Sequence, residues 1–565
     1  MRSHPQGVPA PRTGGQLLVD ALKVHGVDMA FGVPGESYLS VLDALYDASD
    51  AIKFVICRQE GGAANMAEAY GKLTGRPGIC FVTRGPGATN ASIGLHTAFQ
   101  DSTPLILFIG QIDSEYTERE SFQEIDYRRM YGQMAKWVAQ IDRADRVPEM
   151  VSHAFHLAVS GRPGPVVLAL PEDMQTATST AADTARYQRV AANPGAADMQ
   201  KLREMIAQAE RPFIMLGGGG WNKEACDDIQ AFAQANALPV ACTYRCQDLF
   251  DNRHPNYVGD VAVGMNPAIE QRIRNADLLV AIGPRLGEWT TINYTLIDIP
   301  RPKQKFVHVH TGVEELGRVY QADLLINSGM PEFASAARSL TPVPGRWVES
   351  TQAARAEYAA WQKPVKVPGS LNMSEVILYL KKRLPPTAIL TNGAGNFTLW
   401  AHRFYQYTGF RTQLGPTSGA MGYGVPAGVA AKLVHPDRPV IAFAGDGDFL
   451  MNGQELATAA QYGAKVIFIV VNNGMYGTIR MHQEKHYPGR VSGTSLSNPD
   501  FAALARAYGL HGEAVEKTAD FEAAFERAWN AKTAALLELR IDPDAISPRT
   551  TLSAIRAEAL KAQKA

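Results

Sequence analysis

Charge of neither sign is in excess. The chain has 55 Lys and Arg against 56 Asp and Glu, a formal net charge of −1. That balance offers no basic field for nucleic acid and no polybasic patch for a membrane surface. Cysteine is scarce: Cys57, Cys80, Cys226, Cys242 and Cys246 include no Cys-x-x-Cys pair, and so sparse a set reads as free thiols in a reducing compartment. Apolar runs are short, and none reaches the roughly 18 residues that a membrane span requires. Met1 to Arg12 is polar and proline-rich, without the apolar stretch of a secretory signal, so the expected address is the cytoplasm. There is no Gly-x-Ser-x-Gly and no Walker loop. His482 and His486 are one helical turn apart but lack the His-Glu-x-x-His order, so they do not mark a zinc site.

What is present is a long, ordinary globular composition, 46% hydrophobic and 20% charged over 565 residues. At roughly 100–200 residues per domain, about three domains are expected. Short apolar runs alternate with stretches of helical period. Gly15 to Lys23 reads as a helix and Met29 to Val33 as a strand. Further strands are expected at Ile52–Ile56, Ile79–Val82, Leu105–Ile109 and Val166–Pro171. A weakly periodic stretch at about 175–200 reads as a linker. Strands follow at Pro212–Leu216, Pro239–Cys242, Leu278–Ile282 and Phe306–Val309. A proline-bearing stretch, Thr341 to Leu371, marks the next boundary. The last strands are Ala388–Leu390, Val440–Phe443, Val466–Val471 and Leu536–Arg540, and the polar tail after Asp542 either covers something or is mobile. This rhythm predicts an α/β chain of three doubly wound parallel-sheet domains, at 13–178, 195–342 and 368–548. The first and last share the same rhythm.

The decisive pattern lies in the last unit. The strand from Val440 runs into Gly445-Asp446-Gly447-Asp448, and the strand from Val466 ends in Asn472-Asn473, with Asp446 and Asn473 27 residues apart. An acid and an amide are thereby set at the carboxyl ends of two parallel strands, the edge where open α/β sheets bind ligands. Mg²⁺ takes oxygen ligands and commonly shares its shell with phosphates. Gly445 and Gly447 allow a diphosphate to approach the backbone N–H groups that open the next helix. A lone Gly-Asp-Gly is usually only a tight turn; the two strands and their spacing set this one apart.

This Gly-Asp-Gly…Asn-Asn element resembles that of the thiamine-diphosphate enzymes, most closely the acetolactate synthase-like branch, and the resemblance runs along nearly the whole chain. It implies a pyrimidine-binding, a central and a diphosphate-binding domain, with thiamine diphosphate and Mg²⁺ as cofactors. The metal would be held by Asp446, Asn473 and the backbone carbonyl of Met475. Glu60, in Arg58-Gln59-Glu60-Gly61-Gly62, matches the glutamate that hydrogen-bonds the aminopyrimidine and promotes deprotonation of the thiazolium C2. Gln123, in Phe122-Gln123-Glu124, would lie near the substrate. Gly419 and Met421, in Gly419-Ala420-Met421-Gly422, inherit a carbonyl contact to the 4′-amino group and the wedge that bends the cofactor. Ala394-Gly395-Asn396 resembles the loop that touches the diphosphate, beside Gly445, Gly447 and Asp448. The resemblance further implies a homodimer or homotetramer in which Glu60 and Asp446 of one site come from different subunits.

Departures concern the substrate. Glu36, in Pro34-Gly35-Glu36-Ser37, stands where a small glycine is usual. It is either an acid or base on the substrate side or a carboxylate aimed at a cation such as Arg84. Arg84 itself replaces a serine in Arg84-Gly85-Pro86-Gly87, Glu172 replaces a lysine, and His482 replaces a tryptophan. In the central unit Gly217-Gly218-Gly219-Gly220 fails the Gly-x-Gly-x-x-Gly dinucleotide pattern. Arg285 matches an FAD-associated arginine of the branch, but Met265-Asn266-Pro267 departs from its Met-His-Gly, and the balance is against bound FAD. The expected activity is decarboxylation or carboligation of a small 2-oxo acid. A lyase of the 2-hydroxyacyl-CoA, oxalyl-CoA decarboxylase or benzaldehyde lyase type, with an acyl-CoA or other small substrate, is the alternative. A non-catalytic protein retaining the fold is disfavoured by the presence of Glu60, Asp446 and Asn473 together.

Overall fold

A computed structural model describes residues 10–343 and 345–563. The chain forms two compact units, 1–190 and 191–565. The first holds one six-stranded sheet and the second holds two, all with parallel neighbours. The three domains of the expected α/β architecture are therefore present. No helix among the described residues is long and apolar enough to cross a membrane.

In the first unit the sheet runs, in space, Lys53–Ile56, Met29–Gly32, Gly78–Val82, Leu105–Gln111, Pro165–Pro171, Trp137–Gln140. Numbered along the chain, this is the order 2-1-3-4-6-5. The last sheet runs Gln413–Leu414, Ile389–Asn392, Val440–Gly445, Ile467–Asn472, Ala535–Arg540, His511–Val515, the same order. In such a sheet the direction of winding reverses between the first and third strands, and the loops leaving their carboxyl ends splay apart to leave a crevice. The central sheet is different: its order is 3-2-1-4-5-6, with the reversal between Pro212–Leu216 and Leu278–Ile282.

The interior strands are continuous apolar runs because helices cover both faces. Leu105–Gln111 and Pro165–Pro171 are buried at every position. Those runs were legible. In the six-stranded sheets the strands that the apolar runs do not announce are Trp137–Gln140, Tyr257–Val261, Leu324–Asn327, Gln413–Leu414 and His511–Val515, and every one lies at a sheet edge. An edge strand has one neighbour and a partly solvated face, so it is short and mixed in polarity. His511–Val515 has a single buried residue, Val515.

Two of the weak stretches are more structured than their sequence suggests. The boundary segment 341–371 contains the helix Val348–Trp361, which buries Thr351, Ala354 and Tyr358. Its Arg355 donates to the carbonyls of Asn252 and Tyr257, and Tyr358 meets the ring of Tyr257 edge-on. The alanine-rich face hides the helical period from a hydrophobic pattern. The tail covers rather than wanders: the helix Leu552–Ala562 docks on the helix Gly477–His486, with Leu552 and Ile546 packed against Met475.

Candidate functional site

At the reversal point of the last sheet, Ile389–Asn392 leads into Gly393-Ala394-Gly395-Asn396, and Val440–Gly445 leads into Asp446-Gly447-Asp448. The two loops are tied by Asp448. Its Oδ1 accepts the N–H of Ala394 at 3.0 Å and that of Gly422 at 2.8 Å, so one carboxylate gathers the 393–396 loop, the 419–424 loop and the start of the helix Asp446–Asn452. Asp448 is buried, its Oδ2 meets no protein partner, and desolvation pushes its pKa up to about 7 against the opposing backbone hydrogen bonds.

Asp446 is also buried, and desolvation raises its pKa although Asn498, Gly447 and Gly474 all donate to it. The contacts are Gly447 N–H to Oδ1 at 3.0 Å, Gly474 N–H to Oδ2 at 2.9 Å and Asn498 Nδ2 to Oδ2 at 2.7 Å. The Asn472-Asn473-Gly474-Met475 turn is thus fastened directly to Asp446. Within it, Asn473 Oδ1 accepts the N–H of Met475 at 3.2 Å, and Met475 pairs with Ser495 across a single bridge. Gly447 is required sterically, since a Cβ there would run into the ring of Tyr476. Asp446 therefore lies against the turn that carries the Asn473 amide and the Met475 carbonyl, and oxygen groups of this kind suit Mg²⁺ when phosphate oxygens complete the shell.

The other cofactor-loop residues lie close by in the chain's own geometry. Gly395 has φ +153°, and Asn396 exchanges hydrogen bonds with Thr478 through its N–H and its Oδ1, both at 3.0 Å. Gly419 has φ +70° with open space where a Cβ would point, and Met421 is half-buried. Asn498, Thr478 and Arg245, which donates to the carbonyls of Gly393 and Pro416, belong to the same edge and were not singled out from sequence. Thr478 sits within a recognisable segment, whereas Asn498 and Arg245 come from loops without a pattern.

In the first unit, Glu60 opens the helix Glu60–Thr74, capped by Gln59, whose Oε1 accepts from Gly61 and Gly62. Asn90 Nδ2 donates to Glu60 Oε2 at 2.9 Å, and a Cβ on Gly87 would sit 3.5 Å from Oε1. The N-terminal turns of the helix Gly85–Asp101 therefore face the Glu60 carboxylate. Gln123 lies at the start of that helix: its carbonyl accepts the N–H of Gly85 at 3.0 Å, and its backbone takes φ +66°. Glu36 begins a short turn after Met29–Gly32, and its Oε1 lies 3.6 Å from Arg84 Nη1. Of the two sequence readings of Glu36, the structure supplies the cation of the second.

Three family models match in order along the chain: Thiamine pyrophosphate enzyme, N-terminal TPP binding domain at residues 12–130, central domain at 199–336 and C-terminal TPP binding domain at 393–539. The chain belongs to the thiamine pyrophosphate enzymes. Within them it is similar to the acetolactate synthase large subunit of Corynebacterium glutamicum, 32% identical over 92% of this chain and 85% of the relative. The acetolactate synthase isozyme 2 large subunit of Escherichia coli K12 is 30% identical over 94% and 95%, and the large subunit from Parasynechococcus marenigrum 33% over 89% and 84%. This is an acetolactate synthase-like member of the family, and its last matched segment spans the Asp446 to Asn473 element.

The central sheet's crevice carries the residues weighed for FAD. There Trp221 donates its Nε1–H to the carbonyl of Gly217 at 2.8 Å and is only 5% exposed. A Cβ on Gly283 would meet Met330 Sδ at 2.9 Å and Trp221 Nε1 at 3.2 Å. Arg285 Nε is 3.1 Å from Glu315 Oε1, and Asn266 caps its own helix by accepting from the N–H of Ala268. The indole of Trp221 and the thioether of Met330 thus pack at the two glycine turns, and Arg285 and Asn266 are engaged within the chain.

Proposed function

We propose that this chain is a thiamine-diphosphate- and Mg²⁺-dependent carboligase that removes CO₂ from a small 2-oxo acid and joins the remaining acyl carbon to a second carbonyl compound. The observation that carries this is the fastening of the Asn472–Met475 turn to the Asp446 carboxylate at the reversal point of the last sheet. Bound thiamine diphosphate supplies a stabilised carbanion equivalent at a carbonyl carbon, the part of the chemistry no side chain provides. Asp446, Asn473 and the Met475 carbonyl hold Mg²⁺; Ala394, Gly395, Asn396, Gly445, Gly447 and Asp448 line the diphosphate. Gly419 offers its carbonyl to the aminopyrimidine, and Met421 shapes the bend. Glu60, steadied by Asn90, holds and moves a proton at the aminopyrimidine ring, and Gln123 orients the substrate. The division into pyrimidine-binding (13–178), central (195–342) and diphosphate-binding (368–548) domains, a homodimer or pair of dimers, and a cytoplasmic address belong to the same reading. FAD does not. The relatives named above support the carboligase over the lyases.

The test is turnover of a 2-oxo acid and acyl-CoA panel with added thiamine diphosphate and Mg²⁺. Pyruvate is expected to release CO₂ and to yield a product that gives the acetoin colour after acid treatment. Turnover confined to acyl-CoA substrates would replace this reading with the lyase one.

A further inference from the structure

Three residues at which the chain departs from its relatives' pattern, Glu36, Arg84 and Glu172, meet in one ion cluster. They are far apart in sequence and arrive by topology. Glu36 follows Met29–Gly32 and Arg84 follows Gly78–Val82, the two strands that flank the reversal point of the first sheet. Glu172 follows Pro165–Pro171 as the first residue of a short helix. The Glu36 turn is pinned there: Ser37 Oγ lies 2.9 Å from Thr83 Oγ1, and Gln175 Nε2 donates to the Ser37 carbonyl at 2.8 Å.

The two carboxylates do not hold Arg84 equally. Glu172 takes a close hydrogen bond from Nη2. Glu36 stands 3.6 Å from Nη1, beyond hydrogen-bond length, and its side chain is 68% exposed. Arg84 is the reverse, its side chain 11% exposed and its buried Nε–H without a partner. The guanidinium is thus held by a hydrogen bond at Nη2 only, and Nη1, which faces Glu36 without one, is the position where a planar oxyanion can complete the fork. Arg84 is the N-cap of the helix Gly85–Asp101, whose first turn faces Glu60 across Gly87.

We infer that Arg84 is a specificity-determining receptor for the carboxylate of a 2-oxo acid, with Glu172 as its fixed anchor and Glu36 as a counter-ion that the substrate displaces. This rests on the carboligase reading and deepens it, since it makes one reactant an anion bound in the first domain. Glu36 then acts as a gate on affinity: its exposed carboxylate competes for the same guanidinium face.

The experiment uses the holoenzyme with thiamine diphosphate and Mg²⁺, and titrates it calorimetrically with oxamate, an unreactive 2-oxo acid analogue, and with the uncharged ethyl oxamate. Arg84→Met is expected to weaken oxamate about 10-fold or more, the scale of a charge-assisted pair, and to leave ethyl oxamate unchanged. Arg84→Lys keeps the charge without the fork and falls between. Glu36→Gln leaves the Arg84–Glu172 pair intact and is expected to tighten oxamate several-fold. Equal loss of both ligands in Arg84→Met, absence of oxamate binding in wild type, or weaker oxamate binding in Glu36→Gln would overturn the assignment. Failure of the carboligase reading shows separately, as wild type that binds oxamate through Arg84 yet releases no CO₂ from any 2-oxo acid.

Discussion

Glu60 and Asp446 sit at the first positions of two helices, each held by an amide side chain, Asn90 and Asn498. Their expected failures differ in kind. Glu60→Gln retains the shape and the Asn90 neighbour but cannot carry the proton. It should bind thiamine diphosphate normally and lower hydrogen–deuterium exchange at the cofactor C2 by about 10²–10⁴-fold, the usual worth of a positioned acid or base. Wild-type exchange would remove Glu60 from its role. Asp446→Ala should instead lose the cofactor. In wild type, thiamine diphosphate with Mg²⁺ at about 100 times Kd should stabilise the fold by about 2.7 kcal/mol. The variant should show no such rise in its thermal midpoint. Equal stabilisation of both proteins would show that the metal is held elsewhere.

At the scale of elements, the helix Leu552–Ala562 is strapped to the helix Gly477–His486 by one buried carboxylate. Glu484, 1% exposed at its side chain, receives Arg556 at 2.5 and 2.7 Å and Arg480 at 3.0 Å, and also accepts the N–H of Gly489. The Arg556 hydrogen bonds lead in lowering its pKa from 4.5 to about 2. A carboxyl whose folded pKa lies below its unfolded one stabilises the fold above the unfolded value and stops doing so as pH falls through the folded one. The Glu484 contribution is therefore complete above about 4.5 and fades toward 2. Because Arg556 is partly solvated, Glu484→Gln should cost about 1 kcal/mol near neutrality rather than the larger penalty of a fully buried pair. The gap from wild type should close across that acid window in denaturant titrations. A gap independent of pH would mean that packing, not charge, fastens the strap. Met475 lies in the same small core as Leu552, so this helix supports the turn whose Met475 carbonyl is proposed for the metal.

For the whole molecule, the first and last sheets share one strand order and place their key residues at equivalent reversal points: Glu36 and Arg84 in one, Ala394 and Asp446 in the other. The proposed homodimer, in which Glu60 and Asp446 of one site come from different subunits, makes a complementation prediction. Mixing inactive Glu60→Gln with inactive Asp446→Ala and allowing subunit exchange should restore activity at about a quarter of the sites, the random-pairing result for a two-fold dimer. An active monomer in sedimentation, or no recovery after proven exchange, would overturn shared sites.

Much of this protein is decided along the chain itself. Interior strands announce themselves because burial on both faces demands unbroken apolar runs, as in Leu278–Ile282. The strands that end at Gly445 and Asn472 are equally legible, and the position of Gly447, where strand has just passed into helix, tolerates few residue types because a Cβ there would meet the Tyr476 ring. Apart from Lys53–Ile56, the edge strands of the six-stranded sheets were not legible, nor was the alanine-faced helix Val348–Trp361, since a half-solvated or small-residue surface leaves no periodic signature. Pairing between distant side chains is the other thing only the tertiary structure decides. Nothing local to Glu36, Arg84 or Glu172 states that they meet; the 2-1-3-4-6-5 order of the first sheet does, by setting the ends of their strands at one edge.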